Sequence, residues 1–206
     1  IVRIDREPPE ALRRDLRRRL SEKILPLLGK SSALLVSDYG YGATDAREVE
    51  FLRRRVRRVT LPVTVDSRFD LASYSRITAA TPNEPELEEV FHRKIGNDLD
   101  LLHRLGQQML RRQSLQALLV TRGRDGMVLF EPRRAPRHLP IFGSDQAVDV
   151  TGAGDTVIAA FTLALAAGAS FFHAAQIANC AGGLVVMKRG TATVTARELK
   201  EAIRNA

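Results

Sequence analysis

Short apolar runs alternate with amphipathic stretches along most of the chain. Apolar runs bounded by turn residues predict strands, whereas apolar residues that recur every three or four positions predict helices. Strands are predicted over 33–38, 61–66 and 77–83, as a hairpin-like pair within 117–131, and as shorter pieces at 1–5 and within 133–145. Helices are predicted over 8–28, 45–58, 84–91 and 98–112, from about 155 to Gly168, and over 171–189 and 195–205.

This alternation of strands and helices favours an α/β fold in which helices cover both faces of a mostly parallel sheet. Ligands of such sheets bind at the carboxyl ends of the strands. Polar residues lie at or just after five predicted strand ends, so we expect them to share one edge of the sheet. They are Asp38, Asp66, Asn83, Thr121 and Asp149.

The length of 206 residues suits a single domain, and the formal net charge is +8. Arginines cluster within 13–19 and 53–58, which one interpretation assigns to a nucleic-acid surface. We favour the solvated faces of two helices, because an apolar residue recurs every fourth position from Leu12 to Ile24 and leaves the arginines outside. No aromatic residues lie among the arginines to stack on bases. The sequence therefore predicts no nucleic-acid partner.

The single cysteine, Cys180, excludes an intrachain disulfide and a cysteine-based zinc site. No stretch approaches the ~18 consecutive apolar residues of a membrane span, and no secretory signal is visible. The four histidines follow no metal-ligand spacing, so structural or surface roles are expected for them. These features predict a cytoplasmic protein without a membrane partner.

The segment "VDVTGAGDT" places two glycines and an aspartate where a helix begins. Without Cβ atoms at Gly152 and Gly154, backbone N–H groups can converge with the positive end of the helix dipole into a phosphate site. Asp155 would repel that phosphate, unless it accepts the proton of a neighbouring hydroxyl during phosphoryl transfer. The alternative is plain capping of the helix by Thr151 or Asp155. A dinucleotide fold is disfavoured, because Val157 interrupts the pattern G-x-G-x-x-G.

Four segments resemble, in the same order, the motifs of ribokinase/PfkB-type carbohydrate kinases. "DVTGAGDT" resembles the D-T-x-G-A-G-D signature, and "TPNEPE" resembles the N-x-x-E element. "TRGRDG" resembles the T-x-G-x-x-G nucleotide loop, and "IANCAGGLVVMKRGT" resembles the helix and loop that close over the adenine. The resemblance implies a ribokinase-like fold, with ATP as the phosphate donor and Mg²⁺ as the cofactor. It covers nearly the whole chain.

Site roles are implied by these same motifs. Asp155 is implied as the catalytic base, beside an anion hole of Gly152, Ala153 and Gly154. Asn83 and Glu86 are implied to hold Mg²⁺, largely through water, although a helix-capping box explains this pair equally well. Nucleotide contacts are implied for Thr121, Arg122, Gly123, Gly126, Asn179 and Gly190, a monovalent-cation site for Asp149 with the Gly190–Thr191 loop, and substrate contacts for Asp38 and Arg68. Solvated surface is the alternative for Arg68 and Arg122.

Finer features, such as "LLVSDYGYG" and "VTVDSR", resemble the heptose-phosphate kinases within that family. The resemblance implies phosphorylation of the anomeric C1 hydroxyl of heptose 7-phosphate. This chain has Tyr41 where those enzymes usually carry a lysine. It also begins after the family's N-terminal strands and lid, so 1–206 corresponds to the C-terminal two-thirds of a ribokinase-like domain.

The family's lid also mediates dimerisation, so a homodimer is expected if that segment exists upstream. Two alternatives to a heptose-phosphate kinase stay open. One is a PfkB-type kinase that takes another sugar or nucleoside as its acceptor. The other is a nucleotide-binding module without kinase activity, which the missing lid and Tyr41 would favour and the retained Asp155 would disfavour.

Overall fold

The computed structural model describes residues 13–55, 61–143 and 146–205. Within these ranges the helices are α1 Arg14–Leu28, α2 Ala46–Arg55, α3 Glu84–Phe91, α4 Leu99–Arg112, α5 Ala153–Ala166, α6 Phe171–Val185 and α7 Ala196–Arg204. The strands are β1 Leu34–Asp38, β2 Val63–Ser67, β3 Ala79–Ala80, β4 Ala117–Thr121, β5 Met127–Phe130 and β6 Arg137–Leu139. Single 3₁₀ turns follow β2 and β4, at Leu71–Ser73 and Gly123–Asp125.

The strands form one sheet in chain order, from β1 at one edge to β6 at the other. The first four are parallel, with Leu34 opposite Val63, Thr64 opposite Ala79, and Ala79 opposite Ala117. The last two are antiparallel additions through short connections. Because β1 to β4 run the same way, their carboxyl ends meet at one edge, as the sequence predicts.

Each face of the sheet has its own apolar core, because successive strand side chains point to opposite sides. Along β4, Leu118 and Val120 pack with α3 and α4 on one face, whereas Ala117 and Leu119 pack with α5 and α6 on the other. All four side chains are fully buried. The α/β class with helices on both faces is therefore confirmed.

The elements differ from the predictions mainly at their ends. The helix α5 begins at Ala153 rather than near Asp155, and α6 ends at Val185, four residues early. Only Ala79 and Ala80 of the predicted strand over 77–83 form ladder pairs. The predicted strand over 1–5 and the end of the helix over 45–58 lie outside the described residues.

One arginine of α1 departs from the expected solvated face. The side chain of Arg17 is only 27% exposed and forms an ion pair with Asp45, at the start of α2. Leu16, expected on the buried stripe, is exposed instead. The face of α1 that meets α2 therefore includes the cation of Arg17 and excludes Leu16, unlike the apolar stripe that the sequence predicts. None of the helices in the described ranges has the length and apolar character needed to cross a bilayer.

Candidate active site

Two cavities meet at the amino-terminal end of α5, on the carboxyl edge of the sheet. One, here called the polar cavity, has a volume of about 280 Å³. The other, the apolar cavity, has a volume of about 400 Å³. Val150, Ala153 and Gly154 line both. The rest of the polar cavity is lined by Ser37, Asp38, Tyr39, Asp66, Arg68, Asn83, Glu86, Gly152 and Asp155.

The turn into α5 leaves backbone donors free at the junction of the two cavities. Gly152 is the N-cap in the left-handed region, with φ 75°, and no side chain caps the helix. The alternative of plain capping by Thr151 or Asp155 is therefore wrong. Ala153 donates its N–H to the carbonyl of Val150 at 3.1 Å. The N–H groups of Gly152, Gly154 and Asp155 form no hydrogen bond with any described residue, so they can serve an anion.

The carboxylate of Asp155 faces the end of β1 across the polar cavity. The hydroxyl of Tyr39 donates to it, with 2.9 Å to Oδ1 and 2.8 Å to Oδ2. Ser37 Oγ lies 3.4 Å from Oδ1. The Asp155 carboxylate raises the pKa of the Tyr39 phenol, because a hydrogen bond to a negative acceptor favours the protonated form. The base candidate therefore has hydroxyl groups, not cations, as its partners.

Negative charge accumulates in the polar cavity. Burial, together with the negative charges of Glu86 and Asp155, raises the pKa of Asp66 to about 7. Burial also raises the pKa of Glu86. Arg68 opposes both shifts, and its guanidinium lies 5.5 Å from the ring centre of Tyr39. A cavity of this kind is suited to a bound cation, since one arginine does not balance the four carboxylates that line it.

Asn83 and Glu86 form the capping box that the sequence left open. The Asn83 side chain accepts from the N–H of Glu86 at 2.8 Å, and the Glu86 carboxylate accepts from the N–H of Asn83 at 2.9 Å. Both nevertheless line the polar cavity. Asn83 also makes a parallel bridge to Thr121, and Thr121 donates its N–H to Pro82 at 2.9 Å. The capping box thus places the N-x-x-E pair directly beside the nucleotide loop.

Asp38 lines the polar cavity, but its carboxylate is already hydrogen-bonded within the protein. Its carboxylate accepts hydrogen bonds from Ser67 Oγ at 3.0 Å, Tyr74 Oη at 2.8 Å and the N–H of Gly40 at 2.9 Å. Its side chain is buried. Burial, and secondarily the bond to Asp38, raises the pKa of Tyr74. Asp38 therefore fixes the ends of β1 and β2, and its contact with a substrate stays a prediction.

The predicted nucleotide loop connects β4 and β5 and borders the apolar cavity. Thr121, Gly123, Gly126 and Asn179 all line this cavity, together with Arg124, which the sequence analysis did not select. Gly126 has φ 78°, and a Cβ there would lie 2.1 Å from the carbonyl oxygen of Leu139. Only glycine fits, because both the backbone angle and the space exclude a side chain.

Arg122 and Gly190 lie in the described structure without lining the apolar cavity. Arg122 is 9% exposed and donates through Nε to Glu84 at 2.7 Å, so the solvated-surface alternative is wrong for it. The N–H of Gly190 donates to Asp149 Oδ2 at 2.9 Å, and the N–H of Thr151 donates to Oδ1 at 2.9 Å. A hydrogen bond from the Thr151 side chain, together with these two backbone bonds, lowers the pKa of Asp149. The two residues of the predicted monovalent-cation site are thus neighbours.

Two hydroxyl residues of the polar cavity, Ser37 and Tyr39, were not predicted from the sequence, and Asp66 was expected at this edge of the sheet without a specific role. The signal was available, since each lies in or just after a predicted strand end. What was not visible is that the hydroxyl of Tyr39 reaches a carboxylate 116 residues further along the chain.

The chain belongs to the pfkB family of carbohydrate kinases. The family model, described as pfkB family carbohydrate kinase, matches residues 54–197. This range contains the capping box, the nucleotide loop and the turn into α5, which are the parts that meet at the two cavities. The polar residues of β1 lie before it.

Curated relatives cover most of this chain. The bifunctional protein HldE of Pelobacter propionicus is 37% identical over 204 residues, which are 98% of this chain and 41% of the relative. That of Histophilus somni is 40% identical over 185 residues, which are 89% of this chain and 38% of the relative. The chain thus spans about two fifths of the length of the curated relatives it matches.

Solved structures share the fold at low sequence identity. Phosphofructokinase-2 of Escherichia coli, in complex with potassium, has a TM-score of 0.80 at 20% identity, covering 95% of this chain and 63% of that one. Ribokinase of Arabidopsis thaliana, complexed with ribose and ATP, has a TM-score of 0.71 at 21% identity, covering 95% and 61%. The expected ribokinase-like α/β fold is confirmed.

Proposed function

We propose that the intact protein transfers a phosphoryl group from ATP to a sugar-phosphate hydroxyl, with the anomeric C1 hydroxyl of heptose 7-phosphate as the preferred acceptor. The observation that carries the proposal is the end of α5. There, unbonded N–H groups and the Asp155 carboxylate lie where a polar and an apolar cavity meet. The HldE names of the relatives, and the resemblance to heptose-phosphate kinases, support the choice of acceptor.

In this proposal the acceptor enters the polar cavity and the nucleotide enters the apolar cavity. The acceptor hydroxyl donates its proton to Asp155 while its oxygen bonds to the γ-phosphorus, and the bond to the bridging oxygen of ADP breaks. The N–H groups of Gly152 and Gly154 stabilise negative charge on the transferred group. Most of the rate enhancement comes from alignment of the two reactants, because the transition state of phosphoryl transfer is loose.

The polar cavity fits Mg²⁺, which would neutralise phosphate charge when bound. Crowded carboxylates with raised pKa values, at Asp66 and Glu86, favour a hard cation with oxygen ligands. Asn83, Glu86 and Asp66 would hold it. In the described part of the chain, no three histidine, cysteine or carboxylate side chains converge closely enough to bind a metal alone. Water and phosphate oxygens would therefore complete the coordination.

The same proposal includes a cytoplasmic location, where ATP is available. It also includes a monovalent cation beside Asp149 and Gly190. The cation site is supported by the carboxylate of Asp149, whose hydrogen bonds join the loop after α6 to the turn before α5. The phosphofructokinase-2 structure with potassium shows that this fold accepts such an ion in another protein. The expected result is a faster transfer rate in potassium chloride than in tetramethylammonium chloride at equal ionic strength.

The proposed activity is tested by adding ATP, Mg²⁺ and heptose 7-phosphate to the intact protein and following the sugar bisphosphate by ³¹P NMR. Asp155→Asn is expected to lower kcat by about a thousandfold, within the range known for general bases, while the Kd for ATP stays unchanged. Asp100→Asn is the matched control, because it also removes a carboxylate from the first turn of a helix, α4.

Equal turnover in Asp155→Asn and wild type would contradict the role of the base. ATP binding by a wild-type protein that phosphorylates no sugar phosphate would favour the nucleotide-binding module instead. Transfer to fructose 6-phosphate or ribose in preference to the heptose would keep the kinase and change its acceptor. The comparison of acceptors is informative because this chain carries the exposed Tyr41 where heptose-phosphate kinases usually carry a lysine. Within the described ranges, Arg68 is the only cation that lines the polar cavity.

A further inference from the structure

The hydroxyl of Tyr39 occupies the place from which an acceptor hydroxyl would approach Asp155. It lies 2.8 Å and 2.9 Å from the two carboxylate oxygens, so its single proton is shared across both. An acceptor must donate its own proton to one of those oxygens. The Tyr39 hydroxyl spans both oxygens, so an acceptor hydroxyl that approaches Asp155 from the same side competes with this hydrogen bond.

Tyr39 lies at the start of a glycine-containing turn, so the shift that an acceptor would require concerns its side chain rather than the backbone, which the bond from the Gly40 N–H to Asp38 holds. It directly follows β1, and the next glycines, Gly40 and Gly42, have φ values of 78° and 75°. The side chain is half exposed. Its ring contacts Tyr41 by parallel stacking, at 6.5 Å between centres, and lies under the guanidinium of Arg68. These contacts keep the ring near the cavity without enclosing it.

We propose that Tyr39 is a positioning residue that caps the base: it holds Asp155 while the acceptor is absent and yields an oxygen to the acceptor hydroxyl. The inference rests on the proposed function. Its consequence is that water cannot readily use Asp155 to attack bound ATP, because the carboxylate is already engaged. The cap stays protonated during this exchange, since Asp155 raises the pKa of the Tyr39 phenol.

The test compares wild type, Tyr39→Phe and Tyr41→Phe in the intact protein. Tyr41 is the matched control, because it stacks on Tyr39 while its own hydroxyl bonds to none of the described residues. Tyr39→Phe is expected to raise ATP hydrolysis without acceptor about tenfold, equivalent to about 1.4 kcal/mol in activation free energy. It is also expected to lower the acceptor KM several-fold, because the acceptor no longer displaces a phenol. Tyr41→Phe is expected to change neither.

A Tyr39→Phe variant with wild-type hydrolysis and a reduced kcat at unchanged acceptor KM would overturn the cap. Tyr39 would then align Asp155 during transfer. Both variants are first compared with wild type in thermal unfolding and in ATP affinity, so that misfolding is recognised.

A second measurement needs neither a folded Tyr39→Phe variant nor kinase activity. Tyrosine ionisation is followed by ultraviolet absorbance in wild type and in Asp155→Asn. The chain has three tyrosines, and one of them is expected to ionise at lower pH in the variant. Unchanged titration of all three would overturn the contact. Failure of the wild type to phosphorylate any sugar phosphate would contradict the proposed function, whereas wild-type transfer without the Tyr39→Phe effects would contradict the cap alone.

Discussion

The two cavities that meet at α5 are lined by different kinds of residue. Charged and hydroxyl side chains line the polar cavity, and they come from β1, β2, α3 and α5. The apolar cavity is lined mostly by glycine, alanine and valine, from the nucleotide loop, α5 and α6. The shape of the polar cavity therefore depends on where side chains converge. The shape of the apolar cavity depends on the space that residues with small or no side chains leave open.

Four of the five glycines that line the apolar cavity fall into two kinds, and the fifth, Gly182, packs against the Val157 side chain. At Gly126 and Gly183 a Cβ would lie 2.1 Å and 2.3 Å from a backbone carbonyl oxygen. At Gly123 and Gly154 a Cβ would meet nothing within 4 Å. The first pair is required by the packing of the protein against itself, whereas the second pair borders open space. The glycines of one cavity thus differ in what constrains them.

The largest expected effect concerns the ion pair between Arg122 and Glu84, which lies next to the predicted nucleotide loop and is largely buried. Glu84→Gln removes the closer of the two carboxylates that pair with Arg122, at a position where only 9% of the arginine side chain is exposed. The other carboxylate, Asp125, is 59% exposed and lies 3.8 Å from the guanidinium. Loss of one member of a buried pair costs about 3 kcal/mol of unfolding free energy. Chemical denaturation is expected to show this loss, with an unchanged Kd for ATP in the folded protein.

A weaker affinity for ATP without a loss of stability would break the comparison, because charge would then matter directly in the apolar cavity. It would also support the predicted nucleotide contact of Arg122. Glu22→Gln is the control, since its pair with Arg18 is exposed at the surface of α1.

The next effect separates the two kinds of glycine. Gly183→Ala forces a methyl group against the carbonyl of Phe142 and is expected to cost about 1–3 kcal/mol of stability. Gly154→Ala lies in the first turn of α5 with open space around it and is expected to gain up to about 1 kcal/mol. Phosphoryl transfer is expected to fall in Gly154→Ala despite that gain, because the methyl group stands between the two cavities. Full transfer in Gly154→Ala would refute the role of this turn.

A smaller effect distinguishes the polar cavity by its dependence on pH. Because the pKa of Asp66 is about 7 in the folded protein, against 3.8 for an ordinary aspartate, the folded state binds a proton more tightly. The stability of the wild type is therefore expected to fall as pH rises from about 4 to about 7. Asp66→Asn lacks this loss. The full pKa difference corresponds to about 4 kcal/mol, and solvent screening of this half-buried side chain reduces the expected separation of the two unfolding free energies to on the order of 1–2 kcal/mol.

Urea denaturation at several pH values, without magnesium, measures that separation. Asp100→Asn, on the exposed start of α4, is expected to follow the wild type. Parallel curves for wild type and Asp66→Asn would show that the carboxylate titrates normally.

The smallest effect lies away from both cavities, where His103 and His138 bring their Nε2 atoms within 2.8 Å. Burial and the neighbouring cations lower the pKa of His138, so stability is full above about pH 6.5 and falls as the imidazole is forced to protonate. The melting temperature of the wild type is expected to fall between pH 7 and pH 5 by on the order of 1 °C more than that of His138→Gln. His173→Gln should retain the wild-type slope, and a steeper slope in His138→Gln would contradict the sign.

The features predicted from sequence that the structure contains are those whose geometry is local. The nucleotide loop, the capping box of Asn83 and Glu86, and the turn at Gly152 are each set by neighbours within a few positions. Element boundaries were less certain, since tertiary contacts decide where a helix stops, as at Val185. Arg17 and Arg122 could not be assigned from pattern, because a solvated arginine and a paired one occupy the same helical or turn positions.

By itself the sequence determined the α/β class, the gathering of polar residues at the carboxyl edge of the sheet, and the motifs that carry the resemblance. These follow from periodicity and from glycine, whose effects act over a few residues. Only the tertiary structure decided that the Tyr39 hydroxyl bonds to Asp155 and that the Asp38 carboxylate is hydrogen-bonded within the protein. It also decided that burial and the nearby charge of Glu86 raise the pKa of Asp66. Such pairings arise because parallel strands bring distant positions to one edge, where distances of a few ångströms decide hydrogen bonds and charge.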